Sequence, residues 1–228
     1  MADTRGIFVT GTGTEVGKTV VAAAIARTLA AEGRRVAVFK PAVTGLDEEG
    51  ESDQALLRRA SGSSQSDEEI APYRYGSPAS PHLAAALAGE EIDPERLRQV
   101  AAGAAAGADI LVCEGVGGLL VPLSPTYLVR DLAVDLGYPL AVVAGPGLGT
   151  INHTLLTLQS ARAAGLAVTA VVLNPWPREP TKIEFSNRET IASLASVPVL
   201  TFPPVDIGRP ESWPPLRFLC RRDDERST

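Results

Sequence analysis

Few of the residues on which metal sites, disulfide scaffolds and nucleic-acid surfaces depend are present. The 228-residue chain has two cysteines, two histidines and one methionine, and aromatics make up 5% of it. Cys113 and Cys220 cannot staple a framework, and Cys113 sits in an apolar run that makes it a small buried hydrophobe. His82 and His153 stand apart, with no His/Cys spacing of a zinc site, and His153, in a helical stretch, reads as structural. The net charge of −6 and pI of about 5.1 offer no basic face of the kind that supplies nucleic-acid affinity, though a local basic pocket for phosphates stays open. No apolar run reaches the ~18 residues a membrane helix needs. The start, MADTRG, leads into an apolar strand without a basic region or cleavage pattern. The expectation is a soluble, cytoplasmic protein that engages neither nucleic acid nor membrane.

What is there is apolar and periodic. At 228 residues, 45% of them apolar, one α/β domain (1–228) can bury about 70% of its unfolded surface without staples. Short runs rich in Val and Ile predict strands at 6–11, 35–41, 109–115, 139–145, 166–174 and 197–202. Helical patterns predict helices at 18–31, 53–59, within the alanine-rich 80–106, at 150–164 and at 186–195, with Gly33 and Gly165 ending two of them. Apolar strands alternating with helices imply a mostly parallel central sheet covered on both faces. Ligands of such sheets bind beyond the carboxyl ends of the strands. The residues of chemical interest fall there: Gly11 to Lys18, Lys40, Glu114, Gly145 to Thr150 and Asn174. Beyond Pro203 the chain is proline-rich and then charged, and from about 216 to 228 it reads as a flexible tail.

The segment GTGTEVGKT, Gly11 to Thr19, follows a strand and opens a helix. That is the context of a phosphate loop, in which successive N–H groups and the helix N-terminus hold an anion. Lys18 can reach the β- and γ-phosphates and the Thr19 hydroxyl can ligate Mg²⁺. The segment is one residue longer than the strict pattern, since Thr12 stands where the first glycine belongs. A glycine turn with a solvated Lys18 is the plain alternative. Glu114 ends an apolar strand, where an acid is costly without a charged partner, so it is a metal ligand or an acid that meets solvent. Asp53 begins a helix and is an N-cap on spacing alone. Lys40, at the end of the second strand, either clamps a phosphate and stabilises developing charge or emerges into solvent. Gly145-Pro-Gly-Leu-Gly-Thr150 is a second anion-binding helix start or a plain turn.

Taken together, GTGTEVGKT, KPAVTG (40–45), SDQALL (52–57), SPH (80–82), EGVGGLLVPL (114–123), LGTINHTLLT (148–157) and LN (173–174) resemble the dethiobiotin synthetase family, from Ile7 to about Pro204. The resemblance implies a P-loop NTPase-like fold, a homodimer with its site at or near the interface, and a biotin-pathway reaction. In that reaction 7,8-diaminononanoate, CO₂ and MgATP give dethiobiotin, ADP and phosphate, through a carbamate and a carbamic-phosphoric anhydride. It implies that Thr14 and Lys18 contact the phosphates and that Glu15, Val16, Gly17, Lys18, Thr19 and Val20 form the ATP loop. Gly115, Val116, Gly117 and Gly118 would lie along the ligand. Thr19, Asp53 and Glu114 would hold Mg²⁺, which sets aside the N-cap reading of Asp53. Lys40 would stabilise the carbamate and the transferring phosphoryl group, and Thr44 would contact substrate. Gly149, Thr150 and Asn152 would meet the substrate carboxylate across the dimer, while Asn174, Pro175 and Pro204 would frame the adenine. The segments PWPREPTKIEF and GRPESWPPLRFLCRRDD depart from the family pattern beside the base. A regulatory ATPase of the ParA/MinD kind is the alternative, but Thr10-Gly11-Thr12 lacks the extra lysine of those loops, and no basic face or amphipathic tail is offered.

Overall fold

Largely apolar strands are stable when their faces are covered, and six such runs make the framework of this protein. The computed structural model describes residues 6–47 and 51–217. In chain order the elements are β1 (Gly6–Gly11), α1 (Lys18–Ala31), β2 (Val36–Phe39), β3 (Ala42–Val43), α2 (Asp53–Ser61), α3 (Asp67–Ile70), β4 (Tyr73–Arg74), α4 (Pro81–Leu87) and α5 (Pro94–Ala106). They continue with β5 (Ile110–Gly118), β6 (Pro122–Ser124), β7 (Tyr127–Leu128), α6 (Val129–Leu136), β8 (Leu140–Ala144), α7 (Thr150–Ala163), β9 (Val168–Leu173), α8 (Lys182–Ala195) and β10 (Val199–Thr201). The six-stranded sheet has the order β10-β9-β8-β1-β5-β2, and every pairing in it is parallel.

Alternation within the strands sorts the core into layers. Ile7, Val9, Val143 and Val172 face a cluster built with α1 and α2. Phe8, Leu111, Cys113 and Leu140 face the opposite layer of α4, α5 and α6. Val142, Val171 and Leu173 pack under α7 and α8. Cys113 is fully buried, as expected of a small hydrophobe.

Two expected helices change their bounds, and one helix is new. The alanine-rich 80–106 stretch is two helices, because Gly89 takes φ 75° and Asp93, accepting from the Glu95 N–H at 2.9 Å, caps a new start before Pro94. The last helix starts at Lys182 rather than 186, since Thr181 and Glu184 form a capping box. Helix α6 has no counterpart among the expected elements; Asp131 accepts from the Leu128 N–H at 2.9 Å and Gly137 closes it with φ 67°.

After β10 the chain turns back as a strap across α1 and α2. Trp213 is buried and its indole donates to the Asp206 carbonyl at 2.7 Å. Arg27 of α1 donates to the Trp213 carbonyl at 3.3 Å, and the Leu216 N–H donates to Thr28 Oγ1 at 3.0 Å. Arg59 of α2 donates to the carbonyls of Ile207 and Gly208 at 2.9 and 3.0 Å. The expected tail of 216–228 lies outside the described residues from 218 on, and Leu216 itself belongs to the core. The outer edge of β2 is closed by a side chain: Gln65 accepts from the Val38 N–H at 2.9 Å and donates back to the Val38 carbonyl at 3.0 Å. No helix of the described residues is long and apolar enough to cross a membrane.

Candidate functional site

The strand order reverses at β1, so the loop that follows it opens into the crevice at the carboxyl ends of the sheet. The extra residue of GTGTEVGKT is absorbed by the strand: Gly11 still pairs with β5 and β8, and the Thr12 N–H donates to Val143 O at 2.9 Å. The free loop therefore begins at Gly13. Glu15 at φ 57° and Gly17 at φ 77° both lie in the left-handed region, which turns the loop over the N-terminus of α1. Lys18 is buried, and its ammonium folds back to donate to the Gly13 carbonyl at 2.8 Å. Burial holds its pKa below the ordinary lysine value against the pull of Glu114. Asn174, at the end of β9, donates from Nδ2 to the Val16 carbonyl at 3.0 Å, and a Cβ on Gly17 would stand 2.0 Å from that nitrogen. Only glycine fits there.

Behind the loop two carboxylates converge on one hydroxyl and one ammonium. Thr19 Oγ1 lies 3.0 Å from Asp53 Oδ1 and 2.8 Å from Glu114 Oε1. One hydroxyl proton serves one of these at a time. Lys40, buried at the end of β2, donates to Glu114 Oε1 at 2.8 Å and to Asp53 Oδ2. Glu114 Oε2 is buried with no hydrogen-bond partner. Burial opposes the charge on Lys40, but Glu114 and Asp53 outweigh it and raise its pKa above the ordinary lysine value. Burial also pushes Asp53 up, yet Lys40 and Thr19 bring its carboxyl below the usual range. For Glu114 burial wins over Lys40, and its pKa is raised. Asp53 is not the N-cap of α2; Ser52 occupies that position, without a side-chain bond, and Asp53 is the first helical residue.

These groups open on a cleft of 660 Å³ lined by Thr14, Glu15, Gly17, Lys18, Thr19, Lys40, Thr44, Asp53, Glu114, Val116 and Gly117, together with Ala42, Pro78, Ala79, Ser80, Pro81 and Val121. A larger hollow of 1210 Å³ lies elsewhere, beside β2 and α5, and holds none of the site residues expected from the sequence. Other expected residues do not line the cleft. Val16 and Val20 pack against the α1 core, and Gly115 is wedged where a Cβ would meet Phe8 and Val129 at 3.0 Å. Pro175 and Pro204 are exposed beyond β9 and β10. Gly149, Thr150 and Asn152 sit at the start of α7, Thr150 buried and the other two exposed, with Leu148 beside them 95% exposed. Asn187 is a residue that sequence reasoning missed. Buried on α8, it donates from Nδ2 to the carbonyls of Pro146 and Gly147 at 2.9 and 3.1 Å and fixes the loop before α7. Its only signal was a polar residue on the inner face of a helix.

The architecture is that of a P-loop α/β protein. The family model described as an AAA domain matches residues 5–206. Among solved structures the chain is similar to the septum site-determining protein MinD from Pyrococcus horikoshii, with a TM-score of 0.52, 16% identity and coverage of 87% of this chain and 81% of that one. It is 38% identical over 201 residues to an ATP-dependent dethiobiotin synthetase of Bacillus subtilis, covering 88% of this chain and 87% of the relative. The synthetase of Rhodococcus erythropolis is 41% identical, with 88% of each chain covered. That of Anaeromyxobacter dehalogenans is 46% identical, with 75% and 76% covered. The chain belongs to the dethiobiotin synthetase family. The likeness to MinD is one of fold.

Proposed function

We propose that this protein catalyses the ATP-dependent closure of 7,8-diaminononanoate and CO₂ to dethiobiotin, with release of ADP and phosphate. The observation that carries this reading beyond the family resemblance is the Lys18–Thr19–Lys40–Asp53–Glu114 cluster along one cleft, in which Lys18, Lys40 and Glu114 are buried. The loop from Gly13 to Gly17, with Lys18 and the start of α1, suits a triphosphate. In the reaction a carbamate oxygen attacks the γ-phosphorus and the bond to the β,γ-bridging oxygen breaks, releasing ADP. The second amine then attacks the carbamoyl carbon, loses a proton, and expels phosphate as the ring closes. Lys40 is the cation placed to bind the carbamate and to steady charge on the transferring phosphoryl group, and Thr44 supplies a hydroxyl on the same wall. Lys18 and Thr14 hold the phosphates.

The donor set fits magnesium. Thr19, Asp53 and Glu114 offer hard oxygens, and Glu114 Oε2 is buried without a partner. Among the described residues no group of three or more His, Cys, Asp and Glu side chains stands together as a metal site, so phosphate and water would complete the shell. Bound there with ATP, the ion would neutralise β- and γ-phosphate charge. Asn174, Pro175 and Pro204, past the ends of β9 and β10, would frame the adenine. The start of α7, where Gly149 and Asn152 are exposed, would meet the substrate carboxylate from the second copy of a homodimer.

The test is direct. Purified protein with diaminononanoate, bicarbonate and MgATP should release phosphate in step with dethiobiotin by mass spectrometry; release that ignores the diamine would end this reading. Lys40→Ala should lower turnover at least a hundredfold, roughly the cost of losing a transition-state charge partner, while ATP still binds by calorimetry.

A further inference from the structure

Of the four carboxylate oxygens that Asp53 and Glu114 carry, three are already taken. Both Asp53 oxygens and Glu114 Oε1 face either Thr19 or Lys40, and only Glu114 Oε2 is free. A divalent ion cannot take Asp53 and Glu114 while an ammonium stands between them at hydrogen-bond distance. Position agrees with this: the Lys40 ammonium lies 2.8 Å from Glu114 Oε1 and also donates to Asp53 Oδ2, so a divalent ion between these carboxylates would stand against a like charge. A divalent ion arriving alone would be repelled by that ammonium, whereas one arriving with a triphosphate brings its own counter-charge.

We propose that Lys40 is the resident cation of this site, standing in the divalent ion's place until metal and nucleotide arrive together and displace its ammonium into the part of the cleft that Thr44 and Ser80 line. Metal loading and presentation of Lys40 to the substrate are then one event. A cleft holding metal without nucleotide is disfavoured, and Lys40 reaches the substrate side only when the phosphates are in position. The inference rests on the reading of Thr19, Asp53 and Glu114 as the metal-holding set.

Electron paramagnetic resonance of free Mn²⁺ measures this without turnover. Wild-type protein should bind Mn²⁺ weakly alone and strongly with ATP. Lys40→Met, which keeps the length of the side chain and removes the charge, should bind Mn²⁺ alone roughly tenfold more tightly or better, as expected for removing a close like charge. A folded Lys40→Met protein, checked by its thermal transition, with unchanged or weaker Mn²⁺ affinity would overturn the proposal. Wild type that binds no Mn²⁺ even with ATP would remove the metal reading beneath it. If Lys40→Met does not fold, lysine acylation of the wild type read by mass spectrometry decides. Lys40 should be protected in the free protein and with ADP alone, and become reactive with ADP and Mn²⁺ together. Equal protection in all three states would overturn the proposal.

Discussion

Gly17 carries two constraints at once. Its φ of 77° is costly for any residue with a Cβ, and that Cβ would collide with Asn174 Nδ2. Gly17→Ala should therefore destabilise by more than ~1 kcal/mol from the backbone alone. It should also weaken ATP binding, because the Asn174 bond that fixes the Val16 carbonyl must break. Thermal unfolding and nucleotide titration check both, and a variant with wild-type ATP affinity would show that the Asn174 contact does not shape the loop. Asp53 and Glu114 titrate in opposite senses although Lys40 touches both. Asp53 has a folded pKa below the ordinary aspartate value of 3.8, so its contribution to stability is complete above that pH and is lost as pH falls through the folded value. Glu114 has a folded pKa above 4.5, so its contribution falls as pH rises from 4.5 through the folded value. Glu114→Gln should thus gain stability relative to wild type as pH rises from 4.5 toward neutrality, while its turnover drops. A stability difference that is flat over that range would contradict the assignment.

At the scale of elements the strap from Asp206 to Leu216 is the device that holds α1 and α2 in register. Those helices carry Lys18 and Thr19 on one side and Asp53 on the other. Trp213→Ala should cost about 3–5 kcal/mol, as for large aromatic truncations in a core, and should raise the KM for ATP because both helices lose a common anchor. Chemical denaturation and initial rates test it; loss of stability with an unchanged KM would confine the strap to folding. In the sequence this segment read only as a proline-rich stretch ahead of a charged end, because what orders it is contact with Arg27, Thr28 and Arg59, far away in the chain. The six central strands were legible for the opposite reason: each is a short, largely apolar run that announces itself without knowledge of its partners. Helix α6 went unnoticed because VRDLAVDL is short and interrupted by Arg130, Asp131 and Asp135, and its cap, Asp131, is read only once Leu128 is seen to donate to it. In the site, the phosphate loop and Lys40 declared themselves by position at strand ends. The contact between Asn174 and Val16, the convergence of Asp53 on Thr19, and the hold of Asn187 on the loop before α7 depend on tertiary approach that spacing does not encode.

For the whole molecule, the proposed dimer has an apolar candidate contact in Leu148 and Leu156, 95% and 55% exposed beside the start of α7. Leu148→Asp should shift the protein to monomer in sedimentation velocity and raise the KM for the diamine more than that for ATP. A monomer with unchanged diamine KM would place the substrate carboxylate elsewhere. The sheet itself has a second surface through which copies of the chain could meet, the outer side of β2. There the Gln65 amide mimics a neighbouring strand, satisfying both the N–H and the C=O of Val38. An edge left open is a template on which another chain can add a strand. Gln65 is thus a guard of solubility as much as of stability. Its replacement by alanine would be felt first as concentration-dependent aggregation during expression, ahead of any change in the chemistry at the other end of the strand.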